Sequence, residues 1–187
     1  MFNDIFIFLL QMALSLLGLA FLLRAWLYFI RMPPFNPYSQ TIIQVTDWAV
    51  QPLRKLLKPG RYIDTPSVVA AWLCAVVYLI GAWWLITGTA LAMEQILPVL
   101  AAAALTVLKW ALNVCFWVVL LQVILSWVNP SSPAMQLLQA ITRPIMEPIR
   151  RRLPATGAID FSPLIVIIII QVLSMVLQRL SFALIAV

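Results

Sequence analysis

Four stretches of this chain, residues 5–30, 67–90, 106–128 and 163–185, are long and almost wholly apolar. About 20 apolar residues at about 1.5 Å each cross about 30 Å of hydrocarbon. In lipid a helix satisfies its own backbone donors and acceptors, and an open strand cannot. The chain is 64% hydrophobic and 10% charged, against about a quarter charged in a soluble domain. The expected fold is an all-α membrane protein with four transmembrane helices. The first stretch differs from a signal peptide: Asp4 stands where a positive n-region would be, and the apolar run exceeds an h-region. It is expected to stay as a span.

The segments between spans repeat. Pro37 through Asp64 and Pro133 through Asp160, 96 positions apart, align without a gap and share eight of 28 residues. The matches are Pro37/Pro133, Gln40/Gln136, Thr46/Thr142, Pro52/Pro148, Arg54/Arg150, Leu57/Leu153, Ile63/Ile159 and Asp64/Asp160. Each copy follows one span and leads into the next, so the unit is span, basic loop, span. Residues 1–90 form the first unit, 91–105 a connector and 106–187 the second unit. Two spans return the chain to its starting side, so the halves are two tandem helical hairpins of the same orientation, which excludes an inverted repeat. Small residues such as Ala70, Ala71, Gly81 and Gly88 are expected to let the spans pack closely.

Charge orients the hairpins. Of twelve Lys and Arg, five lie between Arg31 and Arg61 and four between Arg143 and Arg152, while the connector carries Glu94 and no basic residue. The positive-inside rule puts the loops, about residues 31–66 and 129–162, in the cytoplasm and both termini outside, in the periplasm of a bacterial inner membrane. The net charge of +6 then suits anionic lipid headgroups. Lys55, Lys58, Arg61, Arg151 and Arg152 are the candidate headgroup contacts. Nucleic acid is not expected, because no groove-reading or base-stacking motif accompanies the charge.

Apolar residues recur three or four apart at Ile42, Val45, Ala49, Leu53 and Leu56, and at Met135, Leu138, Ile141, Ile145 and Ile149. Each loop is expected to hold an amphipathic helix in the membrane interface, broken before Pro52 or Pro148, where proline removes a hydrogen bond and clashes one turn back. Thr65-Pro66 and Ser162-Pro163 then read as a capping hydroxyl followed by proline at the first helical position. Asp64 and Asp160 fall near those positive helix starts, each ten residues after an arginine, Arg54 or Arg150. Two readings stand: a general charge and dipole contact, or a specific arginine–aspartate pair that closes each loop onto the following span.

Arg24 is the most unusual charge, inside the first span about two turns before its end, where an unpaired cation is costly. Either its long stem snorkels to the interface near Arg31, or it faces the bundle and pairs with Asp64 or Asp160. Gln122, Gln171 and Asn113 read as hydrogen-bond partners between helices rather than ligands.

Enzymatic chemistry finds little support, and no cofactor is expected. The chain has no histidine, which removes the commonest general base and metal ligand. Cys74 and Cys115 lie in different spans without a Cys-x-x-Cys pair. The five glycines form no phosphate loop, and the six acidic residues put no pair on one helix face.

The motif order resembles the YggT family of small bacterial membrane proteins, to which the YlmG-like proteins belong. Its pattern is a span ending like Arg-x-x-x-Ser-Trp, Pro-rich loop residues, Pro-x-Arg, and an Asp-x-Ser-Pro helix start. The second half carries Ser126-Trp127-Val-Asn129-Pro130, Pro148-Ile-Arg150 and Asp160-Phe-Ser162-Pro163; the first carries Arg24, Pro33, Pro37, Pro52-Leu-Arg54 and Asp64-Thr-Pro66. Gln122 takes the place of the arginine in the second copy, and Thr65-Pro66 replaces Ser-Pro in the first. The resemblance implies a non-enzymatic factor in membrane organisation, assembly or regulation. A second implication is ion or osmotic homeostasis, as a channel or transport component acting as an oligomer. Docking through the basic loops favours the first: the spans carry no acidic ring to select a cation. Expected partners are membrane lipids and either another membrane protein or further copies of the chain.

Overall fold

The computed structural model describes residues 2–33, 36–153 and 160–185, so Ile159, matched to Ile63, lies outside the described residues. Six helices follow one another: α1 (Phe2–Phe29), α2 (Pro37–Leu56), α3 (Thr65–Thr87), α4 (Met93–Val128), α5 (Pro133–Arg150) and α6 (Ser162–Ile185). There is no strand among the described residues. Four helices are long and apolar enough to cross a membrane, over Asn3–Phe29, Thr65–Thr87, Met93–Val128 and Ser162–Ser181. The chain forms two compact bodies, Met1–Ala111 with Leu177–Val187, and Leu112–Val176.

In the first body α1 and α3 run antiparallel. Asn3 Nδ2 donates to the Leu85 carbonyl at one end (3.0 Å), and Arg24 faces Asp64 at the other. Ala70, Ala71 and Ala75 make α3 narrow where it meets Phe21 of α1, Val50 of α2, and Ala103 and Val107 of α4. Small side chains allow this approach. Gly18 of α1 is closer still to α4: a Cβ there would fall 2.3 Å from the Trp110 ring. At Gly81 the neighbour is only the tip of Leu10. Gly88 does not serve packing, since a Cβ there meets nothing within 4 Å. It closes α3 in the left-handed conformation, φ +67°, with its N–H on the Trp84 carbonyl, the backbone shape glycine adopts without penalty.

The second body gathers Val119 of α4, Met146 of α5, and Val166 and Ile170 of α6. α5 buries Met135 and Ile141 of its expected apolar set, and Met146 outside it. α2 packs Ala49 and Leu53 of its expected face against the core but is turned away from Val45 and Leu56. Thr46 and Val50 are buried, whereas Val45, Trp48 and Leu56 are exposed, an apolar stripe on the opposite side of the helix.

Three expectations from sequence are corrected. Neither loop helix breaks at proline: Pro52 lies inside α2, and Pro144 and Pro148 lie inside α5. Pro52 is in the last two turns, and the carbonyl it leaves without a helical donor belongs to exposed Trp48, where water or headgroups can serve it. The 91–105 connector is mostly helix, because α4 starts at Met93 and carries Pro98 near its beginning. Ala101 to Ala104 are the strongest helix formers available and extend the helix back from the expected start at residue 106. The hydroxyl caps also differ. Asp64, not Thr65, precedes α3 as its N-cap residue, and the Thr65 hydroxyl donates instead to the Lys58 carbonyl (2.9 Å). Ser162 is itself the first residue of α6.

Candidate functional site

The site is built where α1 ends, α2 crosses and α3 begins. Arg24 is only 5% exposed, its guanidinium enclosed by protein rather than extended to the surface near Arg31. Nη1 donates to Thr46 Oγ1 and to Asp47 Oδ1, both at 2.8 Å. Thr46 can accept because its own proton goes to the Ile42 carbonyl (2.6 Å). The Nε edge faces Asp64 Oδ2 at 3.7 Å.

Asp64 is fully buried and collects cations from two directions. Its Oδ2 accepts from Ser67 Oγ (2.6 Å) and Arg54 Nη2 (3.2 Å) in addition to facing Arg24. The polypeptide is held close by Tyr28 Oη, which donates to the Gly60 carbonyl (3.0 Å). A buried carboxylate is costly unless it is paired and hydrogen-bonded, which is the arrangement around Oδ2. Oδ1 has no hydrogen-bond partner among the described residues.

The second repeat solves the same problem with fewer charges. Gln122 of α4 is buried and accepts a hydrogen bond from the Thr142 hydroxyl. Thr46 and Thr142 are the matched threonines, so Arg24 and Gln122 occupy equivalent places although 98 residues apart; the chain between span residue and threonine is two residues shorter in the second copy. Asp47 is matched by exposed Arg143. Asp160 is 42% exposed and faces Arg150, with Nε 2.8 Å from Oδ2 and Nη2 on the same oxygen. Its other oxygen accepts the Ser162 N–H at 2.9 Å, at the start of α6 and just before Pro163. Partial burial pushes the Asp160 carboxyl upward, but the Ser162 hydrogen bonds and the Arg150 guanidinium outweigh it and hold it below the ordinary carboxylate value.

The structure thus brings Arg54 to Asp64 and Arg150 to Asp160, and puts Arg24 with Asp64. Lys55, Lys58, Arg61, Arg151 and Arg152 are all exposed, Arg151 also meeting Glu147 one turn back (3.1 Å). Gln171 and Asn113 are exposed, whereas Gln122 pairs with Thr142 of the loop helix α5. Asp47 and Ser67 were missed by reading the residues singly. The signal for Asp47 lies in the repeat: Arg24/Gln122 and Asp47/Arg143 differ together between the copies. Among the described residues no group of three or more His, Cys, Asp or Glu is placed to hold a metal.

Four helices long and apolar enough to cross a membrane and two related ion-paired loops point to a helical membrane protein with an internal duplication. The sequence pattern described as CCB3/YggT matches twice, over residues 3–85 and 101–181. The chain belongs to the CCB3/YggT family. It is 33% identical over 170 residues to the uncharacterised protein YggT of Escherichia coli K12, covering 90% of this chain and 86% of that one. An uncharacterised Haemophilus influenzae protein is 32% identical over 162 residues (86% and 84% of the two chains). One from Pseudomonas aeruginosa is 33% identical over 185 residues (92% and 88%). No solved structure matches.

Proposed function

We propose that the protein is a non-enzymatic, multi-pass protein of the bacterial inner membrane that organises, assembles or regulates other envelope components. In this reading residues 1–90 and 106–187 are two same-facing hairpins, both termini are periplasmic, and the basic loops form the cytoplasmic docking surface. The observation that carries it is the two-sided character of α2. Thr46 and Val50 face the body, while Val45, Trp48 and Leu56 face outward beside exposed Lys55 and Lys58. An exposed apolar stripe next to lysines suits a helix at a headgroup boundary. α5 and the residues after it present Arg143, Arg151 and Arg152 outward in the same way. Arg54–Asp64 and Arg150–Asp160 serve here as the latches that hold each loop against the following span.

Photo-crosslinkers at Trp48 and Arg151, each placed in the full chain in cells, test the docking role. The same membrane protein captured from both positions supports it; capture of lipid alone from both contradicts it. Reconstitution separates this role from a channel or transport component in ion or osmotic homeostasis. Liposomes containing the purified protein are expected to show no potassium flux above empty liposomes. Flux abolished by Arg24→Gln overturns the proposal.

A further inference from the structure

The first repeat holds a charged cleft. A cavity of about 690 Å³ opens between the end of α1, α2 and the segment leading into α3. Its charged lining is Arg24, Arg31, Arg54, Arg61, Asp47 and Asp64, four positive and two negative, a net of +2. Arg24 and Arg54 face the two aspartates. Arg31 and Arg61 have no ion pair among the described residues; both guanidiniums lie over the Tyr62 ring, 5.9 and 5.6 Å from its centroid. Two guanidiniums without an ion pair among the described residues, both lining one cleft, make a place for an anion. Arg31 is also the only non-glycine residue with positive φ, 54°, among the described residues. It is the left-handed residue that closes α1: its N–H donates to the Tyr28 carbonyl and the Met32 N–H to the Leu27 carbonyl, both at 3.0 Å.

Deeper in, two oxygens of lining residues are buried without a hydrogen-bond partner among the described residues: Ser39 Oγ and Asp64 Oδ1. Ser39 is 3% exposed and Asp64 0%. Leaving such buried groups without a partner is costly, so a hydrogen-bonding group belongs beside them. Leu27, Ile42 and Ile43 supply an apolar wall.

The second repeat is an internal control. At the positions matching Ser39, Asp47 and Arg61 it carries Met135, Arg143 and Gly157, and Gln122 stands for Arg24. It still forms its loop helix, its threonine contact and its arginine–aspartate pair. A serine, an aspartate and an arginine at the places of Ser39, Asp47 and Arg61 are therefore not general requirements of the repeat.

We infer that this cleft binds the headgroup of an anionic phospholipid: the phosphodiester on Arg31 and Arg61, and a hydroxyl-bearing end reaching Ser39 Oγ and Asp64 Oδ1. The net +2 lining favours an anion over a zwitterion, because a zwitterion leaves both charges uncompensated. A hydroxyl can donate to the carboxylate oxygen. The inference is independent of the docking role, since it needs no protein partner.

Native mass spectrometry of the detergent-solubilised full chain tests it, titrating phosphatidylglycerol, phosphatidylethanolamine and phosphatidylcholine separately. Phosphatidylglycerol is expected to bind at one saturable site at least tenfold tighter than the other two. Arg31→Gln with Arg61→Gln, both exposed, is expected to weaken it about thirtyfold, from about 1 kcal/mol per basic residue near a headgroup. Ser39→Met, which copies the second repeat, is expected to reduce the preference for phosphatidylglycerol over phosphatidylcholine. Arg151→Gln with Arg152→Gln is expected to change neither. Equal binding of the three lipids, or unchanged affinity in the Arg31/Arg61 variant, overturns the assignment. Glycerol 3-phosphate is the arm for a soluble source: displacement of the lipid at equimolar concentration overturns a membrane lipid as the ligand, and no displacement at a hundredfold excess supports it.

Discussion

The two repeats carry matched carboxylates in unlike settings, so the same substitution should have unequal consequences. Asp64 has no exposed surface, and its Oδ2 meets Ser67, Arg54 and Arg24. Asp160 is 42% exposed, as Arg150 is 50%. Asp64→Asn removes the counter-charge from a buried cluster, which costs about 3–5 kcal/mol when a charge is left uncompensated. Arg24 keeps Asp47 and Arg54, 41% exposed, can turn to water, so the low end applies, about 3 kcal/mol. Asp160→Asn breaks a solvent-screened pair, about 1 kcal/mol at most. At about 2–4 °C per kcal/mol for a chain of this size, Asp64→Asn should lower the unfolding temperature by about 6–12 °C and Asp160→Asn by about 4 °C or less. Thiol labelling during heating in detergent reads each body separately, Cys74 being buried in one and Cys115 half-buried in the other. Each is measured with the other cysteine changed to alanine. Raising salt to about 1 M shortens screening to about 3 Å and should erase the Asp160 effect while leaving most of the Asp64 effect. Equal shifts for the two variants, or an Asp64 shift that salt removes, would refute the reasoning.

Arg24→Gln should destabilise the first body by about 3 kcal/mol, and adding Asp47→Arg, which writes the second repeat's residues into the first, should recover about 1 kcal/mol; the same heating assay checks both. Gly18→Ala drives a methyl into the Trp110 ring and should cost about 1–3 kcal/mol, whereas Gly81→Ala meets only the tip of Leu10 and should cost less; Cys74 labelling ranks the pair. Thr142→Val leaves the buried Gln122 amide without its partner and should cost about 1–3 kcal/mol, read at Cys115. The Asp160 carboxyl is held below its ordinary value of 3.8. A lowered folded-state value contributes stability that is present above the unfolded value and is lost as pH falls through the folded one. The stability difference between wild type and Asp160→Asn should thus stay constant from neutral pH to about pH 5 and vanish only below 3.8; urea titrations across pH would expose an earlier loss.

Hydropathy alone located the four helices long and apolar enough to cross a membrane, because length and apolarity are properties of single segments. The start of α4 was harder to see: Pro98 argues locally against helix, and the alanines after it argue for one. Proline at Pro52 and Pro148 was overread in the same local way, since it obstructs a helix interior but is tolerated near an end whose freed carbonyl is exposed. The ten-residue spacing of arginine and aspartate, repeated in both copies, put the pairs within reach but left a general charge and dipole contact open as well. Asp47 was not legible in this way, because its contact with Arg24 depends on the rotation of α2, and α2 turns Thr46 and Val50 inward rather than Val45 and Leu56. Only comparison of position 47 with position 143, aspartate against arginine, carries that information in the sequence.

The docking role requires both basic loops to lie on one side of the membrane, in the cytoplasm, with the α3–α4 turn on the other. Single cysteines at Lys58, Arg151 and Glu94, in a chain with Cys74 and Cys115 changed to alanine, can be treated in intact cells with a membrane-impermeant thiol reagent. The account predicts labelling at position 94 and protection at positions 58 and 151 until the inner membrane is permeabilised. Labelling of 58 and 151 in intact cells, or of one but not the other, would contradict it.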